Sequence, residues 1–245
     1  MFYVIAILLL PIIGWQAMRI RKNARELPEA AGLREGVTGK GKPLSVLYVG
    51  DSAAAGVGVA HIDDSLVGRL NDKLSKHYAI HWQLVARTGN TTKDSLAILR
   101  QLNAGTFDLA IVSLGVNDVT SVKPISVWWK STASLIYLLR HKFKCQQVIY
   151  TCVPPMGEFP ALSFPLNWLL GWRALQLNAV LKNRADNISY LHLIEVNHGD
   201  VSMQIADDGF HPNQLGYEVW ANQVAQLILE KLNFQGSNQI GVKAK

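Results

Sequence analysis

The sequence predicts an α/β domain in which a parallel sheet of five strands is covered by helices on both faces. Two patterns point there. Five short apolar runs alternate with longer segments of helical period, the order that builds parallel sheets. Each run stops at a Gly, Asn or Pro break, where a loop begins. The composition agrees: 245 residues, 49% hydrophobic and 17% charged, supply a core and exclude a disordered chain.

The first run, Leu44 to Val49, breaks at Gly50-Asp51-Ser52. A helical pattern with Leu66, Leu70 and Leu74 inward then runs to about His77. Ile80 to Ala86 is the second strand, ending in Arg87-Thr88-Gly89-Asn90, and a helix follows near Lys93–Leu102. Phe107 to Leu114 is the third, broken by Gly115-Val116-Asn117-Asp118, with a long helix between Ser126 and His141. Val148 to Val153 is the fourth, stopped by Pro154-Pro155. A helix from about Leu166 to Asn183 leads to the fifth strand, Tyr190 to Glu195. The last helix spans about Pro212 to Leu232, with Pro212 near its first turn. The loops at Ser52, Gly89, Asn117 and His211 all fall on one sheet edge, the edge where open α/β sheets bind ligands.

Before the domain, Phe2 to Met18 is an uncharged apolar run, about 25 Å long as a helix against about 30 Å of hydrocarbon. Arg19, Arg21, Lys22 and Arg25 follow it, and no Ala-x-Ala cleavage site does. The expectation is an uncleaved transmembrane anchor over residues 1–22, with a secretory signal peptide or a buried or surface-lying helix as alternatives. The positive-inside rule then places the domain on the cytoplasmic side of a bacterial inner membrane; a periplasmic or secreted protein is the alternative. Residues 23–43, with Pro28, Pro43 and several Gly, read as a linker. The domain is expected over 44–235, and residues 236–245 as a flexible tail.

The net charge is +6, but residues 1–45 hold seven Lys/Arg against three Glu, so the basicity is juxtamembrane. No basic-aromatic stripe marks a nucleic-acid surface, and that partner is rejected. Cys145 and Cys152 lack a metal or redox spacing and read as structural thiols. No metal or other cofactor is expected, and the oligomeric state is not legible.

The glycines after Ser52 fit neither a phosphate loop, since no Lys follows Gly56, nor a dinucleotide fingerprint, since residue 61 is His. Nor is this the Gly-x-Ser-x-Gly elbow, because Ala54 stands at its second Gly. Near the C-terminus, Asp208 precedes His211 by three residues. At that spacing a carboxylate reaches one imidazole nitrogen while the other faces a nucleophile, the arrangement a serine triad requires. Asp207 is the rival orienter. Asp51 and Asp118 read as loop supports.

Gly50-Asp51-Ser52, Gly89, Gly115-x-Asn117-Asp118 and Asp208-x-x-His211, in order at four loops, resemble the SGNH hydrolases, the GDSL esterase/lipase family, over roughly residues 44–232. The resemblance implies a flavodoxin-like α/β/α domain with Ser52 as nucleophile, His211 as general base and Asp208 orienting it. It further implies an oxyanion hole from the Ser52 N–H, the Gly89 N–H and the Asn117 amide. The second block departs from the family's usual Asn-x-Gly-x-x-Gly, reading Arg87-Thr88-Gly89-Asn90-Thr91-Thr92, which makes Gly89 the weakest correspondence. With the anchor, the Ala53-Ala54-Ala55 run suggests a membrane-tethered bacterial subgroup.

The implied function is hydrolysis of acyl esters through an acyl-enzyme, on a lipid-like or small amphipathic substrate in the manner of a lysophospholipase. Acyl transfer, glycan O-deacetylation and a non-catalytic tethered scaffold are the alternatives. The segment Pro154 to Trp172, interrupted by prolines, is expected to line an acyl pocket or touch a bilayer, or else to pack a helix on the sheet.

Overall fold

Five β-strands run parallel and their C-terminal ends stand level, which is what brings distant loops to one place. The computed structural model describes residues 2–23, 26–121, 123–196, 199 and 201–232. In chain order the elements are α1 (Phe2–Leu8), α2 (Leu10–Asn23), β1 (Glu35–Thr38), β2 (Lys42–Gly50), α3 (Leu66–Leu74), β3 (Tyr78–Ala86), α4 (Thr92–Gln101), β4 (Leu109–Ser113), α5 (Val116–Thr120), α6 (Ile125–His141), β5 (Gln147–Thr151), α7 (Leu166–Ala185), β6 (Leu191–Ile194) and α8 (Gln214–Lys231). The sheet order is β1-β3-β2-β4-β5-β6. Without β1 this is the doubly wound flavodoxin order, whose switch point lies between β2 and β4. In the register, Gly50 pairs with both Ala86 and Ser113, Ser113 with Thr151, and Thr151 with Ile194.

Alternation along β2 explains the layers. Leu47 and Val49 face one way, into a core shared with α4, α6 and α7. Leu44, Val46 and Tyr48 face the other, packed by α3 and α8. Side chains alternate across a strand, so a strand central to a three-layer fold is apolar on both faces. Caps set the helix starts: Ser65 accepts from the Val67 N–H, Thr91 and Asp94 form a capping box, and Asn213 accepts from the Gly216 N–H.

Two expectations are corrected. The sheet is mixed and six-stranded, because Glu35–Thr38, in the stretch read as linker, pairs antiparallel with β3 at the edge. A four-residue strand with alternating exposed and half-buried positions carries no apolar run to announce it. The single spanning helix expected over residues 1–22 is two helices of 7 and 14 residues, meeting at Leu9. Pro11 falls in the first turn of α2, where its missing N–H has no partner to lose. Among the described residues no helix is long and apolar enough to cross a membrane. The expected tail, 236–245, lies outside the described residues.

Candidate active site

The turn after β2 is built by close approach. A Cβ on Gly50 would stand 2.7 Å from the Ser113 carbonyl and 2.3 Å from the Ala54 Cβ, so only Gly lets the chain turn there. The Asp51 N–H continues the ladder to the Ser113 carbonyl at 3.2 Å. Its carboxylate then accepts the Ala53 N–H at 3.1 Å and fixes the turn that presents Ser52. Tyr217 of α8 reinforces it from behind, with its Oη proton shared between the Ala53 and Val57 carbonyls at 2.9 and 2.7 Å.

The loop before α8 is closed by the Ala206 N–H donating to the His211 carbonyl at 2.8 Å and by Gly209, at φ +74°. Gly58, at φ +106°, lets the Ser52 turn meet this loop, since a Cβ there would lie 2.1 Å from the Pro212 carbonyl oxygen. Ser52 and His211 are thereby brought together: Ser52 Oγ lies 2.8 Å from His211 Nε2. Asp208 Oδ2 lies 2.5 Å from His211 Nδ1. Asp208 Oδ1 accepts the Phe210 and His211 N–H groups at 2.9 and 3.0 Å. Asp207, the rival orienter, is exposed.

Burial alone would raise the Asp208 carboxyl, but its hydrogen bonds from the His211 ring and from the Phe210 and His211 N–H groups outweigh it and hold the group below the ordinary carboxylate range. Asp51 shows the opposite balance. Fully buried, it is pushed up to about 7, because desolvation exceeds the relief from the Ala53 N–H and from His211. Asp118 is also raised by burial, against hydrogen bonds from Thr92. Its Oδ2 accepts the Thr92 N–H and hydroxyl at 2.9 and 2.7 Å, tying α5 to the start of α4.

Asn117, in the first turn of α5, reaches across from the β4 loop. Its Nδ2 donates to the Asn90 carbonyl at 2.9 Å and weakly to Asp51 Oδ2 at 3.4 Å. Gly89 sits one residue before Asn90 at φ +82°, exposed and with open space around the position of a Cβ. Gly89 is not part of the cavity wall described next, whereas Ser52, Asn117 and His211 are.

Beside the serine opens a cavity of about 510 Å³ with an apolar wall. Met156, Phe159, Leu162 and Leu166 of the Pro-rich segment line it, as do Ile13, Ala17 and Ile20 of α2. Only the first of these groups was legible in the sequence. The contribution of α2 was masked because an uncharged run reads as lipid-facing; Gln16, the one amide side chain in that run, was the signal. Tyr217 carried no local signal, since its partners are backbone carbonyls 164 and 160 positions away. Cys145 lies in the core and Cys152 in the cavity wall, and both are protonated thiols: burial pushes Cys145 up to about 12 and Cys152 up to about 11. Among the described residues no cluster of three or more His, Cys, Asp or Glu is placed to hold a metal ion.

Comparison with known proteins gives the same outline. The profile of a family described as GDSL-like lipase/acylhydrolase matches residues 48–219. No curated protein matches the chain. Among solved structures, the fold is similar to a lipase from a goat rumen metagenome at 18% identity and TM-score 0.60, covering 78% of this chain and all of that one. It is also similar to a psychrotrophic esterase of a Pseudoalteromonas species, at 19% identity and TM-score 0.54 over 78% and 99% of the two chains. A carbohydrate acetylesterase family member from Sinorhizobium meliloti matches at 17% identity and TM-score 0.55, over 77% and 99%.

Proposed function

Because the chain belongs to the GDSL-like lipase/acylhydrolase family and is a serine ester hydrolase, we propose that it cleaves acyl esters of lipid-like or small amphipathic alcohols through an acyl-enzyme on Ser52. The supporting observation is the relay from Asp208 through His211 to Ser52 Oγ, with contacts of 2.5 and 2.8 Å. Ser52 Oγ attacks the ester carbonyl carbon while His211 Nε2 takes its proton. Asp208 keeps Nδ1–H pointed at itself, so Nε2 is the free base, and its charge stabilises the imidazolium that forms. The proton then passes to the leaving alkoxide as the tetrahedral intermediate collapses; water, deprotonated by the same nitrogen, attacks the acyl-enzyme, whose bond to Ser52 Oγ breaks as Oγ takes the proton back and the carboxylic acid leaves.

The developing oxyanion needs donors in place beforehand. Asn117 supplies one: its Nδ2 is anchored on Asn90, and the second N–H is held only at 3.4 Å by Asp51, a bond an oxyanion would outcompete. The Ser52 N–H supplies a second donor, and the Gly89 N–H, expected as the third, stands outside the cavity wall. The apolar cavity favours an acyl chain over the acetyl group of a decorated glycan, which would leave most of its wall unused.

The test is hydrolysis of a series of 4-nitrophenyl esters by the protein and its Ser52→Ala variant. Loss of turnover in the variant is expected; undiminished turnover would overturn the proposal. Adding an acceptor alcohol and analysing products separates hydrolysis from acyl transfer. The location we propose is the cytoplasmic face of the inner membrane, supported by Arg19, Arg21, Lys22 and Arg25, which an anionic leaflet attracts. A reporter fused after Lys245 and active only in the periplasm would overturn that placement.

A further inference from the structure

The N-terminal helices are apolar on two faces, and the described residues cover only one of them. Phe2, Ile13, Gln16 and Ile20 turn inward. The Phe2 ring meets Trp172 edge-on at 5.3 Å, and the Gln16 amide donates to Ser163 Oγ at 3.0 Å and to the Phe164 carbonyl at 2.8 Å. On the other side Val4, Ile7 and Leu8 of α1 and Ile12, Trp15 and Met18 of α2, the last three at steps of three, are each between 50% and 74% exposed. An apolar stripe of that length facing water marks an interaction surface. The surface continues off the helices: the segment that Gln16 grips carries Phe164 at 74% and Trp168 at 45% exposure. At the end of the stripe stand Arg19 and Lys22, both exposed, with the Arg19 guanidinium over the Trp15 ring at 5.5 Å.

We propose that α1 and α2 seat the protein on an anionic lipid surface, lying along it rather than crossing it. The stripe buries in the headgroup–acyl boundary, Trp15 sits at headgroup level, and Arg19 and Lys22 meet anionic headgroups. Crossing would strip Gln16 of its partners and place its amide in hydrocarbon. It would also pull Ile13, Ala17 and Ile20 out of the cavity wall. A second copy fits less well, because a two-fold contact on this stripe sets the two basic ends within one interface without acidic partners. The α1–α2 pair lies outside the family match, which begins at residue 48. A consequence, resting on the ester-hydrolase reading, is that α2 carries the lipid surface on one side and the cavity on the other. An ester leaving the bilayer enters beside it.

The experiment is flotation of the full chain with phosphatidylcholine vesicles, with and without phosphatidylglycerol. Recovery with the anionic vesicles is expected. It falls about fivefold for each charge removed in Arg19→Gln and Lys22→Gln. Leu8→Asp, Ile12→Asp and Trp15→Asp together abolish it while leaving the circular dichroism and hydrolysis of a short soluble ester unchanged. Absence of the parent from the floated fraction, or flotation of the triple variant like the parent, would overturn the proposal. So would a dimer that the triple variant dissolves, which assigns the stripe to a second copy, or recovery that resists alkaline carbonate, which assigns it to a spanning helix. A protein that floats but cleaves no ester keeps the seat and overturns only the hydrolase reading.

Discussion

Asp208 holds His211 by two routes at once: one carboxylate oxygen lies 2.5 Å from the imidazole Nδ1, and the other accepts the backbone N–H of the same residue at 3.0 Å. The ring's tautomer and the loop's shape therefore depend on a single side chain. In Asp208→Asn the amide is expected to present a donor where Nδ1–H needs an acceptor, leaving Nε2 protonated and unable to accept from Ser52. Turnover falls by about 10⁴-fold with the melting temperature little changed. Steady-state kinetics beside thermal denaturation check this; near-parental turnover would show that Asp208 only shapes the loop.

Asn117 joins two loops through the Asn90 carbonyl and faces Asp51. Asn117→Ala is expected to lower kcat by about 10²–10³-fold with a smaller change in KM, because an oxyanion donor acts on the transition state and not on the bound ester. A change confined to KM would remove Asn117 from the oxyanion hole.

Asp51 is neutral more readily in the folded protein than in the unfolded chain, its pKa raised from 3.8 to about 7 by burial. A raised acid binds its proton in the fold, so its contribution to stability is complete below its unfolded pKa and is lost as pH rises through the folded one. Between about pH 4 and about pH 7 stability should fall with a slope due to Asp51, and Asp51→Asn should flatten that slope. Urea midpoints across the range decide it; a parental slope in the variant would place the effect elsewhere, with Asp118 the neighbour to examine.

The five parallel strands and the Ser52, Asp208 and His211 loops were legible because both write themselves into short sequence. A buried strand is an apolar run, and the residues of a strand-end loop follow it directly. The five parallel strands and five of the helices stand within a few residues of their expected places, and the loops at Ser52, Asn117 and His211 meet as expected. What stayed hidden is long-range and weakly coded. β1 is four residues without an apolar run. Tyr217 clamps the Ser52 turn through an ordinary helix position. Phe2 to Met18 is apolar whether it faces lipid or protein, and only tertiary contact of Gln16 and Phe2 separates the two.

The cavity wall supplied by α2 gives a further expectation. Ala17 lines the cavity near the exposed side of the helix. Ala17→Phe adds a ring of bulk there and is expected to lower kcat/KM for long acyl esters by about tenfold or more while sparing acetate and butyrate esters. A chain-length series on the two proteins reads it directly; a uniform loss at all lengths would mean that the acyl chain lies elsewhere.

Ser52 as an activated nucleophile is open to direct test by fluorophosphonate labelling. The parent, the Ser52→Ala variant and the His211→Ala variant are treated side by side, with folding verified by circular dichroism. Labelling of the parent is expected, with none of the Ser52→Ala protein and a strong reduction in His211→Ala, whose serine has lost the base 2.8 Å away. A folded parent that stays unlabelled would contradict it and leave the fold as a binding scaffold.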